Sequence, residues 1–178
     1  MTSQETEEQL KLVTACLKGD KAAQHQFYQR YSPMLFAICK RYASDEDLAK
    51  DMFQEAMIKI FQKLSDFRFE GSFEGWMKRV CVNQCLDTLK KSKAKFNESL
   101  SEAHDYLQAN VDIISDINAK NLMSLLGKLP MGYRTVFNLF AIEGYSHAEI
   151  ASMLNISENT SKSQMFKARK WLQNQLGK

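Results

Sequence analysis

Apolar side chains recur along this chain mainly every three to four residues, the spacing that places them on one side of an α-helix. Leu10, Val13, Ala15 and Leu17 keep roughly this rhythm over residues 7–17, and Gly19-Asp20 then reads as a stop followed by a fresh N-cap. The helix that begins there carries Ala23, Phe27, Tyr31, Leu35, Ile38, Cys39 and Tyr42 on one face. Ser32-Pro33 marks a kink or a restart within it, because proline lacks an amide donor and crowds the preceding turn. Over 45–64, Leu48, Met52, Ala56, Ile60 and Leu64 form an i, i+4 stripe flanked by Phe53, Met57 and Phe61. The loop SDFRFEGSFEG, with Phe67, Phe69 and Phe73, leads into another helix over about 74–91.

Periodicity fails over 92–112 and resumes near 113–127. LPMGYRTVFNLFAIEG then places Pro130 near an N1 position and Gly144 at a C-cap. The expected fold is all-α: two small helical domains, 1–95 and 115–178, joined by a flexible acidic linker over 96–114. Composition agrees, with 44% hydrophobic residues to build a core and only two prolines and seven glycines to interrupt helices.

The stretch YSHAEIASMLNISENTSKSQMFKARKWL predicts two short helices around a tight turn. Ser146 and Glu149 form an S-x-x-E capping box, Ala151 lets a second helix approach, Asn155 suits a turn that needs positive φ, and Ser157 caps the second helix. On that helix, Ser161, Met165, Ala168 and Leu172 face the first. Asn159, Ser163, Phe166 and Lys170 face away, flanked by Lys162 and Lys167. Amides and hydroxyls for base edges beside lysines for phosphates match a helix-turn-helix entering a major groove. A solvated face on a helical hairpin is the plainer alternative.

Charge sharpens this picture through its distribution, since a net +3 is modest. Lys78, Arg79, Lys90, Lys91, Lys93 and Lys95 oppose Asp87 alone over 76–95, and Lys162, Lys167, Arg169, Lys170 and Lys178 oppose Glu158 over 157–178. Between these basic blocks, residues 96–119 carry Glu98, Glu102, Asp105, Asp112 and Asp116 with no Lys or Arg. The four cysteines lack paired CxxC spacing, so they are expected to be reduced structural thiols, with redox sensing or metal binding as the lesser alternative; no metal site and no cofactor is assigned. MTSQETEEQL has no apolar signal core and no run of about 18 apolar residues occurs, which predicts a cytoplasmic protein without membrane insertion. The absence of a phosphate-binding GxxxxGK, an HExxH or a nucleophile elbow argues against an enzyme.

LPMGYRTVFNLFAIEGYSHAEIASMLNISENTSKSQMFKARKWL resembles the C-terminal DNA-binding domain of extracytoplasmic-function (ECF) sigma factors of the sigma-70 family, which usually carry glycine where this chain has Asn155. DLAKDMFQEAMIKIF and FRFEGSFEGWMKRVCVNQCLDTLKKSK resemble two successive segments of the same family's N-terminal domain. The resemblance implies a promoter-specificity subunit. Its first segment docks on the clamp of the RNA polymerase core, formed by the beta-prime subunit, its second holds the melted −10 strand, and its helix-turn-helix reads the −35 element. It also leaves room for an anti-sigma partner.

Carried onto this chain, polymerase binding falls to Asp47, Asp51, Gln54 and Glu55, acids spaced by four on one helix face with the amide beside them. The −10 set is Phe69, Ser72, Phe73, Arg79, Asn83, Asp87, Lys90 and Lys91, a polar stripe preceded by aromatics that offer flat partners to unpaired bases. The −35 set is Asn159, Lys162, Ser163, Gln164, Phe166, Lys167 and Lys170. Two rival classes are a free-standing helix-turn-helix regulator that binds duplex DNA as a dimer, and a pure protein-interaction module.

Overall fold

A computed structural model of the chain describes residues 3–91 and 119–176, with side chains over 7–91 and 124–175. Among the described residues there is no strand. Helix α1 spans Ser3–Leu17. Gly19 then takes φ 80°, the left-handed region open to glycine, and Asp20 caps α2 (Lys21–Tyr42) by accepting from the amides of Ala22 and Ala23. α2 runs uninterrupted through Pro33, so the break allowed by Ser32-Pro33 is resolved as continuation. Its buried face, from Phe27 and Tyr31 before the proline to Leu35 and Ile38 after it, anchors both halves in the core. Burial thereby offsets the lost backbone hydrogen bond.

Asp45 caps α3 (Glu46–Gln62) through the Leu48 amide, a 3-10 turn covers Leu64–Asp66, and α4 spans Phe73–Lys91. α2, α3 and α4 pack mutually, and α1 lies along α2. Phe27, Tyr31, Phe67, Phe73 and Trp76 stack or meet edge to face beneath the loop that enters α4. Each fully buried phenyl ring contributes roughly 1.5–3 kcal/mol.

The second half comprises α5 (Ala119–Lys128), α6 (Met131–Phe137), a π turn (Asn138–Ile142), α7 (His147–Leu154) and α8 (Glu158–Leu176). α8 packs on α6 and α7 to make the helix-turn-helix. Both of its predicted locks are present. Ser146 and Glu149 complete a reciprocal capping box, and Asn155 adopts φ 56°, ψ 50° at the turn. The Ser157 hydroxyl accepts from the Thr160 amide at the head of α8. The expected linker, 96–114, lies outside the described residues. α2 touches α5 and α6, and the apolar core is continuous between the two halves.

Candidate nucleic-acid and polymerase interfaces

The acidic face of α3 divides in two. Asp47 and Asp51 are exposed, as is Gln54. Glu55, placed on the same face by its spacing, turns instead toward α4. Its carboxylate accepts from Gln84 Nε2 at 2.5 Å and from the Thr88 hydroxyl at 3.1 Å, with Lys91 Nζ 3.6 Å away. Gln84 is buried, and its amide needs an acceptor that Glu55 supplies. Glu55 thus engages α4 while its side chain stays 43% exposed beside Asp51.

Along α4, Arg79, Asn83 and Asp87 are exposed one turn apart, as their spacing predicted. Lys91 is exposed too, while Lys90 is half-buried. The aromatics part company. Phe69 is 42% exposed and holds φ 58°, rare for a bulky residue, with its ring edge against Phe67. Phe73 is wholly buried and stacks on Trp76, so its assignment to a DNA-contacting set is corrected: it is a core residue. Ser72 is exposed, but its hydroxyl accepts from the Gly75 amide and caps α4.

On α8, Asn159, Lys162 and Lys170 are exposed, and Lys162 pairs with Glu158 one turn away at 2.8 Å. Phe166 and Lys167 are half-buried. Ser163 and Gln164 are buried, and the Ser163 hydroxyl donates to the Asn159 carbonyl. The outward placement expected of Ser163 is therefore not met in this arrangement. His147 joins the two helices of the motif. Its Nδ1 lies 2.9 Å from the Ser161 hydroxyl and its ring stacks on Phe140. Burial, then the Lys162 charge, hold its pKa below the ordinary histidine value.

A polar clasp that the sequence did not reveal fastens the two halves. The carbonyls at the end of α2 have no intrahelical donors left to them. Asn138 Nδ2 donates to the Arg41 carbonyl at 2.8 Å, and Arg134 donates to the Ala43 carbonyl as well as to those of Gly127 and Leu129. The Arg41 guanidinium pairs with Glu143 at 2.5 Å. A single sequence signal existed, a polar Asn138 inside the apolar run VFNLF. The helix-turn-helix also leans on α4, because Lys90 Nζ donates to the Met153 carbonyl of α7 at 2.8 Å and Arg79 lies within electrostatic reach of Glu149.

Two family models account for most of the chain. Sigma-70 region 2 matches residues 27–95, and Sigma-70 region 4 matches 119–172. This chain belongs to the sigma-70 family. Among its relatives are ECF sigma factors. The ECF RNA polymerase sigma factor SigM of Mycobacterium tuberculosis is 28% identical over 166 residues, covering 93% of this chain and 83% of that protein. ECF sigma factor SigW of Bacillus subtilis is 28% identical over 171 residues, covering 89% and 91%. A solved structure of the sigma factor RpoE from Bartonella quintana, bound to the anti-sigma factor NepR, shares the fold with a TM-score of 0.52 at 20% identity, covering 86% of this chain and 96% of that one. This ECF family member thus holds its region 2 helices, α2 to α4, against its region 4 helix-turn-helix. Among the described residues no helix is long and apolar enough to cross a membrane.

Proposed function

We propose that the chain is a promoter-specificity subunit that directs core RNA polymerase to its start sites. In this reading it acts in the cytoplasm and performs no catalysis of its own. The observation that carries the reading is the pairing, in one chain, of a region 4 helix-turn-helix with a region 2 helix that exposes Arg79, Asn83 and Asp87 beside an exposed Phe69. A duplex-only regulator needs the first and has no use for the second.

Asp47, Asp51 and Gln54 form the surface offered to a basic patch of the polymerase clamp. Phe69 offers a face to an unstacked base of the −10 strand while Arg79 and Lys91 neutralise phosphates. Asn159 is placed for base edges of the −35 element, with Lys162, Lys167 and Lys170 for its backbone. The fold shared with the Bartonella protein supports an anti-sigma factor as a further partner. The test is reconstitution with core RNA polymerase and then mapping of transcription starts on genomic DNA. Discrete starts that share upstream sequence, absent with core enzyme alone, are expected. Identical start patterns with and without the chain would refute the assignment.

A further inference from the structure

Three thiols converge where α2 crosses α4. Cys39 Sγ on α2 lies 3.6 Å from Cys81 Sγ and 3.8 Å from Cys85 Sγ on α4, and all three sulfurs fall within 4.8 Å of one another. Each residue is buried with 0% exposure, and none forms a disulfide. Cys81 and Cys85 stand one turn apart on α4, and α2 brings the third sulfur from 42 residues away, a convergence that spacing along the chain could not reveal. None of the proposed DNA-reading or polymerase-docking surfaces uses them.

Sulfurs about 2.3 Å from a tetrahedral zinc are spaced about 3.8 Å apart, close to the two separations found here. A disulfide would have to draw one pair to about 2.0 Å and would leave the third sulfur idle. Oxygen donors stand nearby as well. The Leu35 carbonyl is 3.7 Å from Cys81 Sγ. The hydroxyl of Tyr42, three residues beyond Cys39, is buried and finds no hydrogen-bond partner among the described residues.

We propose that Cys39, Cys81 and Cys85 form a three-thiolate site for a thiophilic d10 cation, zinc(II) or copper(I), that ties α2 to α4. Soft sulfur donors select these two ions. On binding, three metal–sulfur bonds replace three S–H bonds and, counted from the all-thiol form, three protons leave to solvent. No electron is transferred. The ion would brace the helix that presents the −10 stripe against the helix whose end the clasp holds.

The full chain, purified reduced and metal-free without oxygen, is titrated in separate arms with zinc(II) and with copper(I), each against a chromophoric chelator. One ion per chain is expected in at least one arm, and the arm that wins identifies the cation. Cys81→Ala and Cys85→Ala should each loosen binding by at least about tenfold, while Cys16→Ala leaves it unchanged. X-ray absorption at the edge of the bound metal in the unmodified chain should give three sulfur scatterers at about 2.3 Å, a readout independent of how the variants fold. Failure to compete with the chelator in both arms, or a shell of nitrogen and oxygen without sulfur, would overturn the site.

Discussion

Phe69 and Phe73 lie four residues apart in one aromatic loop and have opposite surroundings. Phe73 has no exposed surface and touches four other rings, so Phe73→Ala should cost about 3–5 kcal/mol in urea unfolding. Phe69 keeps an exposed ring on a left-handed backbone, and Phe69→Gly should leave stability unchanged or raise it. The same change should weaken holoenzyme binding to a premelted −10 strand by roughly 1–3 kcal/mol. Unaltered binding to that strand would remove Phe69 from the DNA surface. A second pair of neighbours behaves likewise. Asp51→Lys, at an exposed position, should shift stability by no more than about 0.5 kcal/mol yet weaken core polymerase binding in titration. Glu55→Ala leaves the buried Gln84 amide only its long 3.5 Å contact with the Thr88 hydroxyl and should cost about 1–3 kcal/mol of stability. Reversal of these two results would mean that Glu55, not Asp51, carries the docking surface.

At the scale of elements, most helices were legible because burial and periodicity agree. Asp20, Asp45, Ser146 and Asn155 mark their ends through capping and left-handed chemistry that is local in sequence. The π turn at Asn138–Ile142 was not legible, since its extra residue is held by contacts with α2, about a hundred positions away. The inward turn of Glu55 and the meeting of three thiols escaped for the same reason: each depends on which helix lies opposite. His147 offers a test of how α7 and α8 are joined. Its pKa is depressed in the folded chain, so between that value and the ordinary one near 6.5 the unfolded chain binds the extra proton. The stabilisation is therefore complete above about pH 6.5 and declines as the pH falls below it. Thermal unfolding from about pH 7.5 to about pH 5.5 should show this decline, and His147→Gln should flatten it. An unchanged slope in the variant would assign the pH dependence to other groups.

Across the whole molecule, the clasp and a promoter make incompatible demands. Elements named −10 and −35 lie about 25 base pairs apart, on the order of 85 Å of B-DNA at about 3.4 Å per base pair. Here Lys90 of the −10 stripe touches Met153 of the helix-turn-helix directly. In the proposed reading the two halves separate to read both elements. Within the clasp, Arg41 Nε, Arg134 Nε and Asn138 Oδ1 are buried without hydrogen-bond partners among the described residues. Core polymerase, by docking the open form, would fix the spacing and raise the effective concentration of each reading surface for the other's DNA. Gel-shift titration of the purified chain on a promoter duplex and on the same promoter with a preformed −10 bubble, with and without core polymerase, measures this dependence directly. Binding should be weak for the chain alone, strong with core enzyme, and stronger again on the bubble. Tight binding of the free chain to intact duplex, unaffected by polymerase or bubble, would contradict a sigma factor and indicate a free-standing regulator.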